Sequence, residues 1–186
     1  RAFLFLMDYA AARRLKLWGC ARVVAGDPDL LARVATPGYQ ARMERIPGVN
    51  SAVHATWFGG IYQKPSNFFA QMPVQPEQYL DMYPEYVLPA EQRAAWLATR
   101  SGAIAGKVLA DRFGWKIGDR IPINATIWFK KDGGATWEFD LVGIYTGAEK
   151  NTDTSGFFFR YDFFEESRQR GSGLVGWYTV RISDPA

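Results

Sequence analysis

The sequence predicts an α+β fold in which strands and short helices mix along one chain, and three observations predict it. Between Gly102 and Phe113 a short apolar run, Ala103-Ile104-Ala105, ends at Gly106, and Lys107 to Phe113 places Val108, Leu109, Ala110 and Phe113 at helical spacing. Arg120 to Phe129 then alternates Ile121, Ile123, Ala125, Ile127 and Phe129 with mainly polar or small neighbours, the pattern of a strand with one buried face. Finally, Lys130-Lys131-Asp132-Gly133-Gly134 supplies an Asp-Gly hairpin turn. Ala135 to Tyr145 returns from it with Trp137, Phe139, Leu141 and Gly143 in one register and Glu138 and Asp140 in the other.

Taken from the N-terminus, residues 1–7 (RAFLFLM) are apolar but too short to span a bilayer, and Asp8, Arg13, Arg14 and Lys16 end the run. Leu17-Trp18-Gly19-Cys20 makes a poor lipoprotein signal, because charges occupy the place of its apolar region. Ala21 to Ala25 (ARVVA) reads as a strand closed by Gly26-Asp27-Pro28. With Thr36 as N-cap and Pro37 at the first position, a helix is expected through Tyr39, Met43 and Ile46 until Pro47-Gly48 stops it. Val49 to Tyr62 reads as a long strand broken at Gly59-Gly60, with His54 on its less buried face. Asn67 to Val74 is its antiparallel partner, and Pro76-Glu77 opens a brief helix with Tyr79, Leu80 and Tyr83 inward.

Pro84 to Pro89 is a proline-bounded passage between lobes, and Ala90 to Thr99 is an amphipathic helix burying Trp96 and Leu97. Gly114 is placed to end the 107–113 helix in left-handed conformation, with Arg112 in its last turn. Beyond a polar stretch over 147–155, residues 156–161 (GFFFRY) form an apolar strand. Asp162 is the expected N-cap of a following helix, and Glu165-Glu166 the acidic pair near its positive end. Val175 to Ile182 closes with strand alternation.

Composition narrows the functional classes. With 48% hydrophobic and 22% charged residues, the 186-residue chain can bury a substantial core as one domain or two small lobes. The net charge of +3 is mild and no long basic run occurs, so nucleic acid is not an expected partner. One cysteine, Cys20, excludes an intrachain disulfide, and one histidine, His54, excludes zinc sites that need two. Gly102-x-x-x-Gly106-Lys107-Val108 imitates a phosphate-binding loop but has one residue too few between its glycines and no Ser or Thr after the lysine. Gly171-Ser172-Gly173 lacks the strand-to-helix context of a nucleophile elbow. No catalytic constellation, cofactor motif or metal cluster emerges, and the chain is not read as an enzyme.

Val108 to Ile123 (VLADRFGWKIGDRIPI), the 137–145 strand (WEFDLVGIY) and Ile46-Pro47-Gly48-Val49 carry a resemblance. In these segments the chain resembles the extracytoplasmic core domain of MacB/FtsX-like ABC transporter permeases, over roughly residues 20 to 186. The resemblance implies a two-lobed periplasmic α+β domain. Residues 1–20 would be a membrane-proximal segment, 21–83 with 175–186 a βαβ-type, porter-like lobe that is incomplete here, and 90–174 a mainly β lobe with short helices.

It also implies membrane helices flanking this fragment in an inner-membrane permease, a permease homodimer, a separate cytoplasmic ATPase subunit and a periplasmic partner protein. Movement of the periplasmic lobes would then couple ATP hydrolysis to export or extraction of a substrate. The candidate contact residues for substrate or partner are the aromatics around the broken strand, Trp57, Phe58, Tyr62, Phe68 and Phe69, and for each taken singly a place in the core is the more ordinary reading. The alternative is a stand-alone periplasmic binding or adaptor module that recruits a partner protein.

Overall fold

The computed structural model describes residues 38–183; the expected N-terminal segment, the 21–25 strand and the Thr36 N-cap lie outside the described residues. Two compact units divide at His54/Ala55 and Ser172/Gly173, so that Pro84–Pro89 falls inside the second unit.

The described part of the first unit contains helix α1 (Gly38–Met43), strand β1 (Val49–Ala55) up to His54, and strand β8 (Trp177–Ile182) beside β1. The Gln40 side-chain amide donates to the Ala52 carbonyl at 2.8 Å and fixes α1 to β1. Across the strands, the Ser183 amide donates to the Gly48 carbonyl at 2.8 Å. His54 is buried, contrary to its expected place on the open face, and meets the edge of Tyr178 with ring centroids 5.9 Å apart. Residues 52–55 are buried without alternation, so β1 loses the one-sided character on which that expectation rested. The helix ends at Met43 and leaves Ile46 exposed.

The second unit is a mixed sheet. Its strands are β2 (Gln71–Val74), β3 (Tyr86–Val87), β4 (Gly102–Gly106), β5 (Arg120–Asn124), β6 (Thr136–Gly147) and β7 (Phe157–Arg160). They run in the order β3-β6-β4-β7-β2, with β5 antiparallel to β6 and Ala55 paired antiparallel to Val74. The β4–β6 and β2–β7 pairs are parallel; β4–β7 and β3–β6 are antiparallel. Its helices are α2 (Pro76–Met82), α3 (Ala90–Ala98), α4 (Lys107–Phe113) and α5 (Tyr161–Ser167).

Strand β7 explains the Phe157-Phe158-Phe159 run. All three rings are buried, because an interior strand is covered on both faces and alternation disappears. Phe157 and Phe159 meet Phe139 at 5.5 and 4.4 Å between centroids, and Phe158 turns to Tyr79 and Tyr145 at 5.0 and 5.4 Å. A bulge opposite Ala103/Ile104 shifts the β6 register, so Phe139 and Tyr145 pack on opposite faces of β7 although they share one sequence register.

Helix α4 ends as expected at Gly114, in left-handed conformation with φ +69°. At its start, Gly106 lies against the chain itself: a Cβ there would sit 2.0 Å from the Thr154 carbonyl oxygen. The Thr154 carbonyl accepts from the Leu109 amide and the Gly156 carbonyl from the Gly106 amide, so the place a phosphate would need is filled by residues 154–156.

Four further expectations are corrected. The strand predicted over 49–62 ends at Ala55, and the following residues are irregular although the Phe58 amide still donates to the Gln71 carbonyl. Leu97 is 37% exposed whereas Trp96 is fully buried and donates its indole N–H to the Gly102 carbonyl. Helix α5 starts at Tyr161 with Arg160 as N-cap, so Asp162 lies inside its first turn. Glu165 and Glu166 therefore fall in its last turns, where they are held by side chains: Glu165 by Arg168 and Ser172, and Glu166 by Arg100.

Candidate contact surface

Three of the five predicted contact residues are core. Phe58 is fully buried, edge-on to Trp137, Phe159 and Phe164. Tyr62 accepts the Trp115 indole N–H at 3.0 Å, and Phe69 packs against Tyr62, Phe113, Trp115 and Phe157. Both are drawn inward because Gly60 is pinned to β2: the Gln71 side-chain amide bonds both its N–H and its carbonyl, at 2.7 and 3.0 Å.

Trp57 and Phe68 stay at the surface. Phe68 is 66% exposed, Trp57 is half-buried, and their rings lie 5.9 Å apart. The structure adds Ile127 and Phe129, 54% and 43% exposed, to this surface. Strand β5 stops at Asn124, which takes both out of the buried register predicted for them. Three successive apolar residues, Ile127-Trp128-Phe129, already break the period of two, and that was the available signal.

The 125–131 segment is held from two sides. Trp128 donates its indole N–H to the Trp57 carbonyl at 2.8 Å, and the Thr126 hydroxyl donates to the Gly59 carbonyl at 2.6 Å. On the other side, the Gln169 amide donates to the Phe129 carbonyl and the Lys131 amide to the Ser167 carbonyl, each at 2.8 Å. Ile127 and the Trp57 indole approach the same point over Gly59, and Ile127, Trp128, Phe129, Gln169 and Arg170 together line a depression.

Beneath the depression lies a buried cation. The Arg168 guanidinium, fully enclosed, is paired with Glu165, donates to the Tyr161 hydroxyl at 3.3 Å and sits 5.3 Å from the centre of the Trp128 ring. Burial pushes the Tyr161 hydroxyl well above its ordinary range, so it stays protonated and donates to Glu165. Desolvated charge with several fixed donors favours one geometry for the Trp128 platform.

The arrangement offers apolar contact. Among the described residues, no group of three or more His, Cys, Asp or Glu is placed to hold a metal, and no helix is long and apolar enough to cross a membrane.

No family model matches the sequence, and no curated protein sequence matches it. Solved structures do match. The extracellular domain of the noncanonic ABC-type transporter YknZ from Gram-positive bacteria superposes at a TM-score of 0.55 with 12% identity, over 81% of this chain and 74% of that one. The periplasmic region of MacB from Actinobacillus actinomycetemcomitans superposes at 0.54 with 14% identity, over 81% of this chain and 66% of that one. The chain has the mixed α+β fold of these extracytoplasmic domains, the match that its sequence segments predict.

Proposed function

We propose that this chain is the periplasmic part of an ABC transporter permease and that it transmits movement without performing bond chemistry. The observation that carries the reading is the shared fold, over 81% of the chain, with the extracytoplasmic domains of YknZ and MacB. In this reading a separate cytoplasmic ATPase subunit hydrolyses ATP, the permease acts as a homodimer, and membrane helices flank the fragment. Nucleotide-driven closure of those helices displaces the periplasmic domain and thereby exports or extracts a substrate.

A transmitting element must not yield under load. The second unit supports that demand with a continuous aromatic core, in which Phe58, Trp137, Phe139, Phe157, Phe159 and Phe164 interlock in edge-to-face and tilted contacts. Trp57 and Phe68, joined by Ile127 and Phe129, are then the contact residues, and Phe58, Tyr62 and Phe69 act by keeping that surface in place.

The test removes Ala55–Ser172 from the full-length permease, closing the gap with a short flexible linker. The expected result is ATP hydrolysis by the assembled complex with no movement of substrate; unimpaired movement would refute the reading. The exposed apolar surface equally suits a stand-alone binding module, for which the full-length gene product would be recovered in the soluble periplasmic fraction.

A further inference from the structure

The apolar surface of the second unit has a cationic rim. Arg170 lines the same depression as Ile127 and Phe129, and Lys131 follows Phe129 in a segment tied to Ser167. Lys64 sits in the turn before Phe68, its carbonyl accepting from the Asn67 amide, and the Arg112 guanidinium donates to the Phe68 carbonyl at 3.1 Å. Among the described residues, Lys64, Arg112, Lys131 and Arg170 have no carboxylate within ion-pair distance, as is true of Lys116 and Lys150 elsewhere in the unit, whereas Arg93, Arg100, Lys107, Arg120 and Arg160 each hold one. Lys130, next to Phe129, is paired with Asp132 at 3.8 Å.

We propose that this surface docks a polypeptide segment of a partner protein, an apolar anchor side chain flanked by carboxylates. The proposal rests on the reading of this chain as a permease domain that meets a periplasmic partner, and it names the chemistry of that partner. The depression over Trp128 takes the anchor, and burying it displaces water from Ile127, Phe129 and Phe68. Lys131 and Arg170 on one side and Lys64 and Arg112 on the other take the carboxylates, which steer the approach and fix its direction. A second copy of the chain fits less well, because a two-fold contact through the same patch sets the cationic rim against itself.

The probe is a displayed random-peptide library selected on the 186-residue chain and counter-selected on its Phe68→Ser/Ile127→Ser variant, two exposed positions whose replacement leaves the core intact. The expected sequences carry Trp, Phe or Leu flanked by Asp or Glu. Individual peptides from them should bind at least tenfold more weakly to a Lys131→Glu/Arg170→Glu variant and progressively more weakly as salt is raised. Neutral or basic flanks, or binding indifferent to salt and to the charge reversal, would overturn the proposal. So would vesicles of phosphatidylglycerol that bind the chain and displace the selected peptides, since these would assign the rim to a lipid surface. Substrate movement by the full-length permease is measured separately. Lost movement in Phe68→Ser/Ile127→Ser with no acidic preference in the library retains the permease reading and discards the charge inference; acidic peptides bound by a protein that moves nothing do the reverse.

Discussion

The indole of Trp128 donates its N–H to the backbone carbonyl of Trp57 at 2.8 Å, linking two segments that lie far apart in the chain and together present the exposed apolar surface. Trp128→Phe keeps a large ring over Arg168 but removes the donor. A net loss of about 1 kcal/mol in unfolding free energy is expected from one such bond, read by urea denaturation, together with weaker protection of the 125–131 amides against hydrogen exchange.

Core and contact aromatics separate by truncation. Phe58→Ala opens a void among Trp137, Phe159 and Phe164 and is expected to cost about 3–5 kcal/mol. Phe68→Ala, at a side chain 66% exposed, is expected to change stability by less than about 0.5 kcal/mol while impairing partner binding. The two unfolding curves, taken side by side, check the assignment.

Gly106 and Gly114 distinguish a steric requirement from a conformational one. In Gly106→Ala the added methyl would meet the Thr154 carbonyl at 2.0 Å, backbone that must shift, and about 3 kcal/mol is the expected loss. In Gly114→Ala nothing lies within 4 Å, but φ is +69°, and about 1 kcal/mol is expected from the strained backbone alone. Thermal unfolding of both variants tests the order.

Alkaline pH should unfold the protein early. Burial pushes the Tyr178 hydroxyl from its ordinary 10.0 up to about 12, and burial likewise raises Tyr79, Tyr86 and Tyr145. Each is protonated in the folded chain at a pH where the unfolded chain has lost the proton. The stabilisation is complete below pH 10 and is lost as pH rises from there through the folded values, for Tyr178 about 12. Unfolding free energy measured between pH 8 and 11 should fall towards the upper end, and Tyr145→Phe should make that fall shallower.

Much of the fold was legible because local signals coincide with what the structure rewards. Gly114 and the alternation of Trp137, Phe139 and Leu141 each encode backbone or burial requirements that no distant residue overrides. The errors have one cause in common, which is burial decided by partners remote in sequence. His54 is buried because β8 covers it from the far end of the chain, and Phe58, Tyr62 and Phe69 because Gln71 draws their segment inward. The buried register expected for Ile127 and Phe129 ends at Asn124, since Trp57 and Gln169 hold the next residues outside the sheet. Trp57 and Phe68 lie at the surface, where the sequence reading has them, and Ile127 and Phe129 join them there without a sequence expectation to match.

The transmission account is tested most directly by distances between spin labels in the full-length permease dimer assembled with its ATPase. On a background with the full-length permease's native cysteines replaced, Cys20→Ser among them, one label at the exposed Val108 of each protomer reports on the pair of domains, and labels at Val108 and Ile127 of one protomer report within the second unit. The account predicts that adding ATP shifts the distance between protomers while the distance within the unit stays fixed. An unchanged distance between protomers throughout the hydrolysis cycle would contradict it.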